Sequence, residues 1–346
     1  MVSTVTVKDA PWLEFVARMM GEAPPTASPV FDPASFHCLL DEQPSHLVPT
    51  YLFSRQNEPL CSSLLWNPTA CLCRDGKLPP QQQDRDELVS RFDLQGPVVW
   101  VQDPANESWQ PFWIGPRLRK WLDYFQPAEP APRNLPSDVR SVLANAGILV
   151  VADYVAHRRK LWAEIVQRAR SFFPRGFAPV AGLIHPYHIA ELRRYVRRRI
   201  RNRQVHLGDG QSPLRYIEYN DPVLKFFHQQ LTSALSDIAG EMLKPSYTYM
   251  ASYLKGAELP KHTDRLQCEF TVSLCLDFAP EPVGQTPWPL HLDTPDGTIT
   301  VFQRIGDALF FRGRQIPHYR KPLAQGTTST SIFFHYVRKG FAGQLD

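Results

Sequence analysis

The chain has 346 residues, of which 43% are hydrophobic and 21% charged, values typical of soluble globular proteins. This length suits two domains that each bury a core, and the 33 prolines, roughly twice the usual share of about 5%, favour loops over long helices. A net charge of +4 argues against a nucleic-acid partner, and no apolar run approaches the roughly 18 to 20 residues that span a membrane.

The first 20 residues carry four charged side chains and lack an apolar core, so we expect no secretory signal peptide and a cytoplasmic protein. The cysteines show no repeated C-x-x-C spacing, and we therefore expect reduced thiols. Cys71 and Cys73 are a minor candidate for part of a zinc site, since no second pair stands at ligand spacing. The six cysteines are Cys38, Cys61, Cys71, Cys73, Cys268 and Cys275.

Residues 1–170 are predicted to form an N-terminal domain of mixed α and β structure and of no recognisable type. Short apolar runs at 97–101 and 112–114 are separated by stretches rich in Pro and Gln. Ser137 is expected to cap a helix over Asp138–Asn145, with Gly147 after its end and a strand over Ile148–Ala152. Helix, glycine and short strand are compatible with a winged-helix-like unit near 135–152.

Residues 171–346 are predicted to form a second domain, which begins with a strand over Gly176–Ile184 and a helix over Pro186–Arg203. Seven arginines between Arg193 and Arg203 lie on one side of that helix. One interpretation is a binding surface for an anionic partner. The favoured interpretation is a solvated helix face whose long arginine stems cover apolar surface.

The rest of this domain changes from helical to strand periodicity. A helix is predicted over Pro222–Leu243, and a hairpin turn over Thr294–Gly297. The apolar segments that follow this helix are short and closely spaced, so they predict a barrel or sandwich of strands. The chain as a whole is predicted to be α+β. The predicted strands are 247–253, 270–278, 290–292, 298–302, 308–311 and 331–337.

A metal-ligand pattern lies within this β region. His262 and Asp264 are two residues apart, so their side chains point to the same side of an extended chain. His318 is available as a third ligand 54 residues after Asp264. Two histidines and one carboxylate form the facial triad of non-haem Fe(II) oxygenases, which keeps coordination positions open for O₂ and a chelating cosubstrate.

The sequence around these residues resembles that of a known enzyme family. Tyr253-Leu-Lys-Gly-Ala-Glu-Leu-Pro-Lys-His-Thr-Asp264 is similar to the Tyr-x-x-Gly…His-x-Asp segment of the prolyl-4-hydroxylase-like branch of Fe(II)/2-oxoglutarate-dependent oxygenases. Gly306-Asp-Ala-Leu-Phe-Phe311 followed by His318 resembles that family's second segment. The resemblance covers about residues 172–340.

This resemblance implies a double-stranded β-helix, or jelly-roll, catalytic domain with supporting helices. It implies a dioxygenase that hydroxylates an unactivated C–H bond of a small-molecule, amino-acid, peptidyl or carrier-bound substrate. His262, Asp264 and His318 would be the catalytic metal ligands. The cofactors would be Fe(II), 2-oxoglutarate as cosubstrate and O₂, with ascorbate as a further candidate.

The sequence departs from the family at the residue that anchors 2-oxoglutarate. The family has an Arg or Lys about ten residues after the distal histidine, where this chain has Thr328. Arg320 lies two residues after His318, so on an extended strand it shares the inward face about 6 to 7 Å away and could grip the far carboxylate. Tyr253, Thr328 and Thr330 could add hydroxyl groups.

Three alternatives remain open. His291 and Asp293 form a second H-x-D pattern, without the upstream Tyr and Gly. The β domain could also be a non-catalytic barrel that binds a ligand or partner, or a cupin-type metalloenzyme that does not use 2-oxoglutarate. The remaining histidines, including His185, His188, His228 and His335, are expected to be surface or core groups.

Overall fold

The computed structural model of the chain describes residues 35–43 and 64–345. The predictions for the first 20 residues and for Cys61 lie outside these ranges. Within them, no helix is both long enough and apolar enough to cross a membrane. The other five cysteines are free thiols, and the sulfur atoms of Cys71 and Cys73 lie 3.7 Å apart.

The described residues form an α+β structure, as predicted. The α-helices are Pro116–Arg119 (α1), Ser137–Asn145 (α2), Tyr154–Phe172 (α3), Pro186–Arg201 (α4), Pro222–Gln230 (α5) and Thr232–Ala239 (α6). The 3₁₀ segments are Leu40–Glu42, Pro80–Val89, Leu122–Tyr124 and Phe173–Arg175. The first strands are Leu65–Trp66 (β1), Ala70–Cys73 (β2), Val98–Gln102 (β3), Trp109–Trp113 (β4), Leu149–Val150 (β5), Phe177–Val180 (β6), His206–Leu207 (β7) and Arg215–Tyr219 (β8). The later strands are Leu243–Tyr253 (β9), Leu259–His262 (β10), Phe270–Ala279 (β11), Leu290–Thr294 (β12), Gly297–Val301 (β13), Ala308–Phe311 (β14), His318–Arg320 (β15) and Thr328–Arg338 (β16).

The N-terminal part contains a three-stranded sheet β2-β3-β4 and a small pair β1-β5. Ser137 was wrongly predicted as a cap, because Pro136 precedes the helix and no side chain caps it. Gly147 does follow the helix in a left-handed conformation, with φ of 72°. The winged-helix-like unit and the domain boundary near residue 171 stay predictions.

One hydrophobic cluster joins the N-terminal sheet to the helices of the second part. The ring of His188 on α4 stacks on Phe112 of β4, with centroids 4.8 Å apart. Phe36 packs edge-on against Tyr195 of α4 and Phe227 of α5. Burial of such large rings stabilises the contact between the two parts of the chain.

The C-terminal strands form two antiparallel sheets rather than one closed barrel among the described residues. The larger sheet has the order β6-β14-β11-β16-β9-β8-β7, and the smaller has β10-β15-β12-β13. From β9 onward the chain therefore alternates between the sheets, except at the hairpin β12-β13, whose predicted turn is confirmed by the Thr294–Gly297 pair. Leu259 and Leu292 of the smaller sheet share a buried cluster with Leu309 of the larger one.

The predicted helix over Pro222–Leu243 was wrong in its extent. It divides at Leu231 into α5 and α6, and α6 ends before Gly240, whose φ is 72°. Leu243 already belongs to β9. Met242, which the predicted helix would include, is 63% exposed, because it lies beyond the glycine that ends the helix.

The arginines of α4 are largely paired within the chain. Arg193 and Arg197 both bind Asp277 of β11, at 2.9 and 2.6 Å. Arg194 and Arg198 bind Glu191 in the same way, at 2.8 and 3.0 Å. These pairs favour a structural role for the arginines, and an anionic partner for the helix stays a prediction.

Candidate metal centre

The three predicted ligands converge at one end of the smaller sheet. His262 ends β10 and His318 begins β15, and the two residues are direct cross-strand partners. Asp264 follows two residues after His262. One ligand atom from each of the three residues lies within 4.8 Å of the others. Nε2 of His262 and of His318 is 3.8 and 3.6 Å from Oδ1 of Asp264.

Backbone carbonyl groups orient both imidazole rings. Nδ1 of His262 lies 2.7 Å from the Pro260 carbonyl, and Nδ1 of His318 lies 3.0 Å from that of Ile316. A carbonyl only accepts, so each Nδ1 carries the proton and each Nε2 presents a lone pair towards Asp264. Burial lowers the pKa of His318, which favours the neutral ligand form. This donor set fits a divalent transition-metal ion such as Fe(II).

Asp264 is fixed from the side opposite the histidines. Its backbone N–H donates to the Gly313 carbonyl at 2.9 Å, and the Thr271 hydroxyl donates to Oδ2 at 2.5 Å. Thr271 also contacts Nδ1 of His335 at 3.0 Å. A Cβ atom at Gly313 would overlap the Asp264 carboxylate, so only glycine fits there. Oδ1 therefore remains directed at the two histidines.

A cavity of about 290 Å³ opens in front of the triad. His262, Asp264 and His318 form one side of it. The other side is formed by side chains of the larger sheet, including Tyr253 and His335. The metal position is thus accessible to a small ligand.

Arg320 lies inside the fold, as its alternation with His318 predicts. It is 5% exposed, donates at 2.5 Å to the Trp288 carbonyl and at 3.3 Å to Gln303, and stacks on the Trp288 ring. Its Nε has no hydrogen-bond partner, and no carboxylate within the described ranges pairs with it. Burial lowers the pKa of Arg320. A buried guanidinium without a counter-ion is expensive, so an anionic ligand would stabilise it.

The three predicted hydroxyl groups lie at different depths. Tyr253 is 1% exposed and its ring packs edge-on against Trp288, on which Arg320 also stacks. Its hydroxyl lies 3.4 Å from Nη1 of Arg215. Thr330 is buried and donates to the Ser252 hydroxyl at 2.9 Å, whereas Thr328 is partly exposed at the start of β16. Tyr253 is therefore the best placed of the three.

The rival pattern at His291 and Asp293 does not form a ligand group in the described ranges. His291 stacks on Tyr319, with centroids 4.8 Å apart. Asp293 forms an ion pair with Lys261 and accepts from Thr298 at 2.7 Å. Its carboxylate is therefore occupied by neighbouring side chains.

His185, His188, His228 and His335 are buried core groups. His185, His188 and His228 each place Nε2 within 2.8 to 2.9 Å of a backbone carbonyl. His335 differs, because it lines the cavity and reaches Asp264 through Thr271.

Sequence reasoning missed Thr271, Gly313, His335 and Arg215. The first three meet Asp264 from β11, from the loop after β14 and from β16, so only the register of the folded sheets brings them together. Their residue types carry no local signal for this role. Shortly after Asp264 in the sequence, Arg265 also lines the cavity, whereas Glu269 pairs with Arg338 at 2.8 Å.

No protein-family model and no curated protein matches this sequence. Solved structures do resemble it. The non-heme alpha ketoglutarate dependent epimerase SnoN from nogalamycin biosynthesis is 16% identical, with a TM-score of 0.43 over 51% of this chain and 83% of that one. SnoN has also been solved in complex with Fe3+, alpha ketoglutarate and nogalamycin RO.

Two further structures have similar scores. A prolyl-4-hydroxylase of Pseudomonas putida is 17% identical, with a TM-score of 0.42 over 51% of this chain and 99% of that one. AviO1 of Streptomyces viridochromogenes Tue57 is 21% identical, with a TM-score of 0.41 over 53% of this chain and 97% of that one. With TM-scores below 0.5, these likenesses do not decide the function, which has to be inferred from the residues of the site.

Proposed function

We propose that this chain is an Fe(II)- and 2-oxoglutarate-dependent oxygenase that hydroxylates an unactivated C–H bond. The observation that carries the proposal is the convergence of His262, Asp264 and His318, with both Nε2 atoms directed at the same carboxylate oxygen. Three protein ligands on one side would leave coordination positions free for a cosubstrate and O₂. The alternation of strands between two sheets is also the arrangement of a double-stranded β-helix.

When bound, Fe(II), 2-oxoglutarate and O₂ would supply the oxidation of a C–H bond, with succinate and CO₂ as co-products. The protein side chains hold and orient the reactants. Thr271 and Gly313 keep the Asp264 carboxylate turned towards the histidines. The carbonyls of Pro260 and Ile316 keep each Nε2 unprotonated.

We infer that Arg320 binds the far carboxylate of 2-oxoglutarate. It is a buried cation without a carboxylate partner in the described ranges, on the strand that carries His318. A guanidinium can bind a carboxylate through two parallel hydrogen bonds. Tyr253, beside the same Trp288 ring, is placed to add a hydroxyl donor. Thr328 and Thr330 are further candidates.

The substrate is proposed to be a small molecule or a peptidyl or carrier-bound side chain. The cavity volume of about 290 Å³ lies just below the usual range for ligand pockets, which is roughly 300 to 1,000 Å³. A small group can therefore approach the triad, and a larger carrier would remain outside.

Titration with Fe(II) and then 2-oxoglutarate under anaerobic conditions tests this proposal. We expect a visible metal-to-ligand charge-transfer band when both are bound, and succinate release once O₂ and a substrate are added. The band should be absent in His318→Ala and present in His291→Ala, whose imidazole lies outside the triad.

The same titration separates the alternatives. Iron binding without the charge-transfer band or succinate would favour a cupin-type metalloenzyme that does not use 2-oxoglutarate. Failure of the wild-type chain to bind Fe(II) would favour a non-catalytic binding role and would contradict the proposal.

A further inference from the structure

The cavity wall that faces the triad is built from aromatic side chains on three neighbouring strands. Tyr247 and Tyr249 alternate on β9, Phe333 and His335 alternate on β16, and Tyr219 ends β8. Residues two apart on a strand point to the same face, and Tyr249 is the cross-strand partner of both Phe333 and Tyr219. We call these five residues the aromatic wall.

The rings of the aromatic wall contact one another in a continuous patch. Tyr219 lies 4.7 Å from Tyr249 and 6.0 Å from Tyr247, and Tyr247 lies 4.4 Å from His335. Phe333 lies 6.0 Å from Tyr249. Tyr219 is nevertheless 53% exposed. A ring left half-open at a cavity mouth offers an apolar surface for a further ring to stack on.

Two guanidinium groups already occupy faces of the tyrosines at this site. Arg215 lies over Tyr249 and Tyr253, 5.5 and 5.6 Å from the ring centroids. Arg265, which is exposed at the cavity mouth, lies 4.8 Å from the centroid of Tyr247. These contacts use the attraction of a ring face for a cation. Because Arg215 is paired with Asp209, the like charge that a cationic ligand would meet is that of Arg265 at the cavity mouth, which a neutral or anionic ligand would not oppose.

Asp209, an acidic residue of the cavity lining, does not offset this preference. It binds Arg215 at 2.5 Å and accepts from the Tyr249 hydroxyl at 2.6 Å. The backbone N–H groups of Gln211 and Ser212 also donate to it. Its carboxylate is therefore already engaged and is a poor partner for an ammonium group.

The aromatic wall is also close to the proposed metal position. His335 belongs to the wall and contacts Thr271 at 3.0 Å, and Thr271 donates to Asp264. A group stacked on the wall is thus separated from the metal-binding carboxylate by a single side chain. The cavity of about 290 Å³ is small for a ligand pocket, which suits a single ring better than a fused ring system.

From this geometry we propose that the substrate carries a single neutral or anionic ring, which stacks on the aromatic wall with its charged or polar end towards Arg265. This inference rests on the proposed function and adds the chemical class of its substrate. Rings that bear an ammonium group are disfavoured by the charge of Arg265 at the cavity mouth.

Ligand-observed NMR titrations with three probes test the proposal. Benzoate and benzyl alcohol should bind the full-length protein, both metal-free and loaded with Fe(II) and 2-oxoglutarate under anaerobic conditions. Benzyltrimethylammonium should bind at least tenfold more weakly than benzoate. Equal or tighter binding of the ammonium probe, or binding of none of the three, would overturn the proposal.

Matched variants locate the binding. Tyr219→Ala should weaken binding of benzoate and of benzyl alcohol at least fivefold, whereas Tyr124→Ala, a change of a similarly exposed tyrosine outside the cavity, should not. Arg265→Gln should weaken benzoate but not benzyl alcohol, and Arg304→Gln should leave both unchanged. Equal effects of Tyr219→Ala and Tyr124→Ala would contradict the assignment.

The metal titration distinguishes the two proposals. Ring binding without Fe(II) binding would overturn the proposed oxygenase and leave the aromatic site in place. A normal charge-transfer band without ring binding would overturn only the inference about the substrate.

Discussion

Arginines on helix α4 are paired with carboxylates, whereas Arg320, between the two C-terminal sheets, has no carboxylate partner within the described ranges. On α4, Arg193 and Arg197 share Asp277, and the buried Arg199 is held by Glu218 and Asp221. Between the sheets, Arg320 meets no carboxylate within the described ranges, and Asp264 faces two histidines.

The paired charges on α4 stabilise the fold, whereas the unpaired charges of Arg320 and Asp264 are suited to binding a ligand. A buried pair with good hydrogen bonds is complete, and its loss lowers the stability of the fold. An unbalanced carboxylate beside two imidazole lone pairs instead favours a cation, and an unbalanced guanidinium favours an anion. Changes in the two regions should therefore alter different measured quantities.

Removal of a triad histidine should give the largest effect. His262→Ala or His318→Ala is expected to abolish Fe(II) binding and turnover, since two remaining ligands hold a labile ion poorly. The free energy of unfolding of the metal-free chain should change little. Iron content and succinate release are the measurements, and wild-type values in either variant would refute the ligand assignment.

Removal of a charge partner of α4 should instead lower the free energy of unfolding. Asp221→Ala removes one of the two carboxylates that pair with Arg199 and Arg91, so that Glu218 alone faces both guanidinium groups. We expect the free energy of unfolding to fall by about 3 to 5 kcal/mol. Asp138→Ala is the control, because its pair with Arg117 is exposed and should cost no more than about 1 kcal/mol. Urea unfolding of the metal-free protein measures both.

Gly313→Ala tests whether the Asp264 carboxylate is held in position. The added methyl group would overlap the carboxylate, which must then turn away from the histidines. We expect Fe(II) affinity to fall by roughly 10- to 100-fold, the scale for groups that orient metal ligands. Gly340→Ala is the control, because a Cβ there meets nothing within 4 Å. Equal iron affinity in the two variants would show that Gly313 has no such role.

Arg320→Ala should separate cosubstrate binding from metal binding. Loss of a charge-assisted contact is expected to raise the 2-oxoglutarate KM at least about tenfold, with iron affinity nearly unchanged. Arg304→Ala, a change at an exposed arginine, is the control. If a different Arg or Lys produces this effect and Arg320→Ala does not, the anchor is wrong while the oxygenase proposal survives.

A fall in pH should destabilise the fold by favouring protonation of buried histidines that are remote from the triad. Burial lowers the pKa of His188 from 6.5 to about 4. At a pH between these two pKa values the unfolded chain binds more protons at this residue than the folded chain does. Stability is therefore lost as the pH falls below about 6.5. His188 should contribute about 1 kcal/mol of this loss at pH 5.5, at 1.36 kcal/mol per unit. His188→Gln should show a shallower pH dependence than His206→Gln, in which an exposed histidine is replaced.

Some features of the site could be predicted because they depend on strand periodicity alone. His262 with Asp264, and His318 with Arg320, are each two residues apart, so their shared direction follows from an extended chain. The pairing of His262 with His318 required only that β10 and β15 be neighbours.

Other features depend on the three-dimensional register and have no local pattern. Thr271 pairs with His335, and Phe333 pairs with Tyr249, because β16 lies between β11 and β9. The division of the predicted helix at Leu231 was also missed, since its apolar spacing continues across the break. Periodicity describes a face of an element, whereas its ends and partners are decided by packing.

The position of β16 has a consequence for the order in which the protein is synthesised. This strand is inserted between β9, which ends at Tyr253, and β11, which begins at Phe270, yet it starts only at Thr328. While the ribosome adds the intervening residues, β9 and β11 each present an edge whose backbone hydrogen bonds await β16. The nascent chain therefore passes through an interval in which it is prone to pair with other chains, and this interval closes only when β16 leaves the exit tunnel.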